Sequence, residues 1–369
     1  MESNKIVITG KPMFIHRHQG LFKALSKHFD SLECIETGNI YSSKVIRKLM
    51  KALYCINQGI SLDKVDNFYK NHQAYIKASK QTEKKIRQLN YTPDLVFHLF
   101  STCRPFWESS DIPYAIYLDY TMALAVKNYA PWNPFTKYQE FVDWFECEKK
   151  GYEQAKYLFT MSPLVKSSLV EDYGIQPTKI TAVGASGNFD EPYTGYKTFG
   201  SKQILFNGSD FERKGGDLVL AAFQKVRQVI PDAKLVMIGR KINTSIDGVE
   251  NPGTISSSSD LKNLFLQSDL VLAPARCEPF GVFIVEAMNY GVPCIVSANN
   301  ANGITDFLND EVDSIVISQP TSDVLANRII NLLNNTDLLT AMSQAALINV
   351  RTKLNWNSIA KNISEVLLN

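Results

Sequence analysis

The chain of 369 residues lacks most of the features that assign a protein at a glance. Its six cysteines, Cys34, Cys55, Cys103, Cys147, Cys277 and Cys294, form no CxxC pair and have no histidine at zinc-ligand spacing. A disulfide framework and a metal site are therefore not expected, and the thiols read as reduced, in a cytoplasmic protein. No stretch approaches eighteen uninterrupted apolar residues, and the strand-like run after the N-terminus is far too short for a signal peptide. Neither a membrane-spanning helix nor export by a standard signal is expected. Zinc-finger, RNP and basic-leucine patterns are missing, so no nucleic-acid partner is expected. There is no low-complexity tract or internal repeat, and nothing suggests a fibrous or disordered protein.

What is present is an ordinary globular composition, 45% hydrophobic and 21% charged, in a chain long enough for two domains. The formal net charge of +2 conceals an imbalance. Residues 1–90 carry thirteen lysines and three arginines against seven acids, a net +9, while the remaining 279 residues carry −7. A basic excess confined to the first quarter fits an anionic surface or ligand.

The first half alternates β-like runs with helical patterns: KIVIT (5–9), a helix over about 20–28, a long basic helical region over 43–90, DLVFHLF (94–100), PYAIYL (113–118) and AKYLFTMS (155–162). Periodicity is lost over 179–202, rich in Gly, Pro, Thr and Asn, which is the best linker candidate. A second series follows: QILFNG (203–208), a helix over 215–230, KLVMIG (234–239), a helix near 260–268, LVLAP (270–274), a helix over 281–290, PCIVS (293–297) and SIVIS (314–318), then three closing helices. Strands separated by helices imply parallel pairing. The expected architecture is α/β: an N-terminal Rossmann-like domain over 1–186, a linker over 187–201, a C-terminal one over 202–354, and a closing helix over 355–369. Ligands of open parallel sheets bind beyond the carboxyl ends of the strands, and two such sheets would face each other across a cleft.

Two stretches at strand ends carry chemistry. In FNGSDFERKGGDLVLAAF (206–223) a strand ends at Asn207-Gly208, and Arg213-Lys214-Gly215-Gly216 opens an amphipathic helix. Free N-terminal amides beside two cations suit a diphosphate; alternatively the cations are solvated and the glycines only allow a turn. The stretch has neither GxxxxGK[ST] nor GxGxxG. In CEPFGVFIVEAMNYGVPCIVS (277–297), Glu278 falls in a loop and Glu286 in the second turn of a helix stopped by Gly291 and Pro293. Taken singly, Glu278 could cap the helix, and Glu286 could pair with a lysine or a backbone donor. Their separation gives no support for a glycosidase pair.

The second stretch resembles the E-x7-E signature of the retaining glycosyltransferases of family 4, the group 1 family with the two-domain GT-B fold. FTMSPLVKSSLVEDYGIQPTKITAVGASGNFD is similar to that family's last N-domain unit and linker, FNGSDFERKGGDLVLAAF to its first C-domain unit, and NWNSIAKNISEVLL to its closing helix, which returns to the N-terminal domain. The resemblance implies that Glu278 holds the transferred hexose, Glu286 the ribose of the nucleotide, and Phe280 and Gly281 present main-chain amides. Gly208, Val282, Gly20 and Arg240 are further donor-side candidates. Three positions depart from the pattern: Ser209 where many members carry arginine, Gly20 where many carry Gly-Gly, and Asp119 where many carry histidine.

The implied reaction is transfer of a hexose from a nucleotide diphosphate sugar, with retention, to a glycan or lipid-linked acceptor in bacterial surface polysaccharide or glycolipid synthesis. Arg213 and Lys214 would stabilise the departing diphosphate. No two aspartates stand at i and i+2, so the DxD metal motif of the other large transferase fold is missing and neither metal nor cofactor is expected. For acceptor contacts the candidates are Asp119, His16 and His18, each of which could equally be a cap or turn residue. Residues 42–56 form a basic amphipathic helix that reads either as contact with an anionic membrane at the inner face or as a surface helix packing on its own domain. Two other classes fit the same features: a nucleotide-sugar epimerase or hydrolase of GT-B shape, and a non-catalytic nucleotide-binding protein.

Overall fold

A computed structural model describes residues 5–38, 40, 43–58, 70–108, 111–135 and 137–368. Residues up to Val183, together with the chain end from Ala360, form one compact unit, and Gly184–Ile359 form the other.

The first unit contains strands β1 (Lys5–Gly10), β2 (Ser31–Glu36), β3 (Leu95–Leu99), β4 (Tyr114–Leu118), β5 (Tyr157–Thr160) and β6 (Ile180–Ala182). Its helices are α1 (Pro12–Arg17), α2 (Gln19–Leu25), α3 (Lys44–Gln58), α4 (His72–Arg87), α5 (Met122–Asn128), α6 (Tyr138–Gln154) and α7 (Pro163–Glu171). The second unit contains β7 (Gln203–Asn207), α8 (Gly216–Val229), β8 (Lys234–Ile238), β9 (Val249–Gly253), α9 (Ser258–Gln267), β10 (Leu270–Ala273), α10 (Val282–Asn289), β11 (Cys294–Ser297), β12 (Ser314–Ile317), α11 (Ser322–Leu333) and α12 (Thr336–Thr352). Helix α13 (Trp356–Leu368) starts in the second unit and ends in the first.

All strand pairs are parallel, in the orders β2-β1-β3-β4-β5-β6 and β12-β11-β10-β7-β8-β9. In each sheet the order reverses beside the first strand, so right-handed crossovers put helices on both faces. The central strands are buried on both sides, which their continuous apolar runs require. The second unit's core joins Ile204, Phe206, Leu235 and Leu270 of the sheet to Val219, Phe223, Leu325 and Ile329 of α8 and α11. The first unit has a separate core around Val96, Ile116, Leu158, Tyr152 and Leu169. Among the described residues no helix is long and apolar enough to cross a membrane.

Some local expectations are corrected. The helix expected over about 20–28 is α2, ending at Leu25, and a further short helix, α1, precedes it across His18, where φ −109° and ψ 18° separate the two. The long basic helical region resolves into α3 and α4, while residue 42 lies outside the described residues. Strands β2, β6 and β9 add to the expected set. Both β2 and β9 are sheet edges, one mostly exposed and the other VENPG, so neither carries a buried apolar run.

Candidate functional site

In the second sheet the topological switch lies between β7 and β10, where a doubly wound sheet opens a crevice beyond its carboxyl ends. The loop after β7 carries Arg213 and Lys214; the loop after β10 carries Glu278. Glycines let these loops approach. A Cβ on Gly215, at φ 77°, would lie 2.3 Å from the Pro274 carbonyl oxygen, so the start of α8 rests directly on the chain leaving β10. The Arg276 amide then donates to the Arg213 carbonyl at 2.8 Å, and the Arg276 guanidinium forks onto Asp217 at 2.8 and 2.6 Å.

The result is a converged cation pair. Arg213, 8% exposed, donates from Nε to Asp210 Oδ2 at 2.7 Å and from Nη1 to the Cys277 carbonyl at 2.6 Å and Glu278 Oε2 at 3.2 Å. Lys214 Nζ reaches the same Oε2 at 3.3 Å. Burial opposes the Arg213 charge, yet Glu278 and Asp210 outweigh it and hold the guanidinium above its ordinary pKa. The main chain of Glu278 is fixed as well, since its amide donates to the Ala301 carbonyl at 3.1 Å and its carbonyl accepts from the Gly303 amide at 3.0 Å.

Two helices start at this point, and neither has a side-chain cap. The N-cap positions of α8 and α10 are Gly215 and Gly281, both left-handed, at φ 77° and 100°. The other helices that begin in this unit behave differently where caps are described: Ser257, Thr321 and Asn335 accept from main-chain amides to close α9, α11 and α12. Such caps contribute about 1 kcal/mol each. Helix α8 meets the deficit locally, the Gly216 amide donating to the Phe211 carbonyl at 2.8 Å and Asp217 accepting from the amides of Asp217 and Leu218, whereas the Val282 and Phe283 amides of α10 have no acceptor among the described residues and stay open toward an anion. Phe280 is buried with its ring against Phe307, and Val282 is the partly exposed first residue of α10. Gly208 donates its amide to the Ile238 carbonyl at 2.8 Å. The adjoining loop needs Gly239, at φ 97°, because a Cβ there would lie 2.6 Å from the Ser209 nitrogen. Arg240 follows as an exposed rim residue.

Glu286 lies in the second turn of α10 and is 7% exposed. Its Oε1 accepts from the Asn188 amide at 3.0 Å and from Asn188 Nδ2 at 2.7 Å. Burial raises this carboxyl above its ordinary pKa, while the two Asn188 donors and the charge of Lys214 pull it back. Lys214 thus acts on both acids, touching Glu278 and reaching Glu286 through its field. Four of the sequence-derived candidates, Arg213, Lys214, Glu278 and Glu286, share one end of this unit. Asp210 and Asn188, which hold two of them in place, carry no recognisable pattern; the three-residue step from Asp210 to Arg213 is the one local hint.

The first unit is less convergent. His16 is exposed and lies 3.5 Å from Glu36. His18 is buried, donates from Nδ1 to the Phe14 carbonyl at 2.7 Å, and packs edge-on to Phe100 and Tyr117; burial pushes its pKa down. One histidine therefore meets solvent and the other the core. Gly20 is the second residue of α2. Asp119 follows β4 and, with Glu148, opposes the burial that lowers the pKa of Lys70. Lys11, after β1, is lowered to about 8, mainly by burial.

Residues 197–347 match the family model of the glycosyl transferases group 1. Phosphatidyl-myo-inositol mannosyltransferase of Propionibacterium freudenreichii is 35% identical over 111 residues, covering 29% of this chain and 28% of that protein. A glycosyltransferase of Methanocaldococcus jannaschii, its own role uncharacterized, is 28% identical over 176 residues, or 45% of this chain and 44% of that one. The chain thus aligns with less than half the length of either. Sucrose-phosphate synthase of Thermosynechococcus elongatus superposes with a TM-score of 0.69 over 99% of this chain and 98% of its own, at 15% identity. The fold is that of the GT-B glycosyltransferases, and the stretch that supplies Arg213, Lys214, Glu278 and Glu286 is similar to the group 1 glycosyl transferases.

Proposed function

We propose that the protein is a retaining glycosyltransferase that moves a hexose from a nucleotide diphosphate sugar to a glycan or lipid-linked acceptor in surface polysaccharide or glycolipid synthesis. The observation that carries this reading is the convergence of Arg213 and Lys214 on Glu278 Oε2 beside two helix starts without side-chain caps. Transfer breaks the bond between the anomeric carbon and the diphosphate oxygen and forms one to the acceptor oxygen on the same face. The acceptor proton passes to the leaving phosphate, so no protein nucleophile is needed. Charge that develops on the diphosphate is met by Arg213, Lys214 and the open amides at the start of α10, preorganised before the bond breaks. Glu278, held at its main chain, faces the hexose, and Glu286 accepts from the ribose hydroxyls. Gly208, Phe280, Gly281, Val282 and Arg240 line the donor, with Gly20 a further donor-side candidate and Asp119, His16 and His18 the acceptor candidates.

Helix α3 extends the proposal to a lipid surface. Val45, Ile46, Leu49, Leu53 and Ile56 are exposed together with Arg47 and Lys48, and the helix has no acid. An exposed apolar stripe flanked by cations suits the interface of an anionic membrane. Salt-sensitive sedimentation with phosphatidylglycerol vesicles is the expected result, and its absence removes this contact.

The test of the central reading is a thermal-shift screen of nucleotide sugars followed by a transfer assay. One donor should raise the melting temperature by mass action. Glu278→Gln should then cut transfer about a hundredfold or more with little change in donor affinity. No stabilising donor would overturn the reading. Free sugar or an epimer formed without transfer would replace it with hydrolysis or epimerisation, and unchanged transfer in the variant would overturn the role of Glu278.

A further inference from the structure

Glu286 and Asn188 stand 98 residues apart in sequence, yet both of the donors that Glu286 receives come from this one residue. The main-chain N–H and the side-chain Nδ2 converge on Oε1, and no described residue donates to Oε2. One oxygen of this largely buried carboxylate is doubly engaged, and the other, which is not among the fully buried polar atoms without a partner, is left accessible. The contact is also tightly enforced. A Cβ at Gly187 would lie 2.7 Å from Glu286 Cγ and 2.7 Å from the Phe189 ring, so only glycine lets the chain come this close. The Gly187 carbonyl accepts from Trp356 Nε1 at 3.2 Å, which ties the same segment to the first residue of α13. Segment 187–188 is therefore held by Glu286 of α10 and by the first residue of α13 at once.

We infer that Asn188 is the positioning residue for Glu286: by donating twice to Oε1 it fixes the plane of the carboxylate and leaves Oε2 to accept from the ribose hydroxyls of the donor. This rests on the reading of Glu286 as the ribose acceptor. The choice of an amide is physically apt. A lysine or arginine here would neutralise the carboxylate and compete with the hydroxyls, whereas two neutral donors hold it in place and leave it anionic, so that a hydroxyl meets a charge-assisted acceptor. Asn188 touches no reacting atom; it acts through Glu286.

The experiment is calorimetric titration of the full chain with uridine, guanosine and adenosine diphosphates and their 2′,3′-dideoxy counterparts. The unsubstituted protein should bind its preferred diphosphate about tenfold or more tightly than the dideoxy form, the span of a hydrogen bond to a charged group. Asn188→Ala keeps the main-chain donor and should lose part of that preference. Asn188→Asp keeps the shape but sets a carboxylate against Glu286, and its preference should fall to within about twofold. If Asn188 only packed, the isosteric Asp would outperform Ala and both would keep the ribose preference; that result overturns the inference. Circular dichroism checks the fold, and if the Asp form does not fold, the Ala form decides by keeping or losing the preference. A protein that binds none of the three diphosphates, or binds them without regard to the ribose hydroxyls, instead removes the reading of Glu286 and the inference with it.

Discussion

Glu148 and Glu286 are buried carboxylates in separate units, and they differ in what fills their oxygens. Glu148, in α6, accepts at Oε1 from Ser101 at 2.9 Å and at Oε2 from Tyr173 at 2.5 Å and the Met122 amide at 3.2 Å. Tyr152 backs the arrangement by donating to Ser101 at 2.7 Å. These donors sit after β3, at the start of α5 and beyond α7, so one acid ties three connections together. Glu286 has donors on a single oxygen. Burial raises the pKa of both, hence a raised pKa alone does not separate a structural acid from a ligand-binding one. Saturation of the lone pairs does.

Glu286→Gln should break the comparison most visibly. Affinity for the preferred nucleoside diphosphate should fall about ten- to a hundredfold in a calorimetric titration, and affinity kept within twofold would put Glu286 in the same class as Glu148. Next comes Glu148→Gln, which should lower the unfolding free energy by about 2 kcal/mol in a denaturant titration and leave nucleotide affinity unchanged. Its amide would relieve the cost of burying charge but face donors with another donor at the oxygen it replaces, and the mismatch there outweighs the relief. The smallest effect is also the one with the opposite sign. Without ligand, Glu286→Gln should stabilise the fold by about 1 kcal/mol at pH 7, because one oxygen lacks a donor and little is lost. The sign follows from the raised folded pKa: the carboxyl's contribution is present below its ordinary value and lost as pH rises through the folded one. The gain over the unsubstituted protein should therefore shrink in melts taken near pH 4.5.

The sequence made the central strands legible because parallel strands buried on two faces must be continuously apolar, as in LVFHL and LVLA. Edge strands β2 and β9 are released from that demand and look like loops. Helix α1, ahead of His18, was hidden for a related reason: the six residues Pro12–Arg17 are too few to show a helical period. In the site, Arg213, Lys214 and Glu278 stood out as charges at strand ends, and Glu286 as a charge in an apolar helix. Asn188 and Glu148 did not. An asparagine in a linker has no charge to attract notice, and Glu148 follows Glu146 in a helix where nothing local tells the buried acid from the exposed one. Their roles exist only as contacts made far along the chain.

The glycine start of α10 also bears on how bound ligand would register in hydrogen exchange. The Val282 and Phe283 amides have no acceptor among the described residues, whereas the first turns following Ser257, Thr321 and Asn335 have a side-chain one. In the free protein the first turn of α10 should therefore exchange earlier than the three capped ones. An anion seated there would slow residues 282 and 283 and leave the capped turns unchanged. For a short time the ligand would then act as a missing residue of the fold, finishing a helix that the chain itself leaves open.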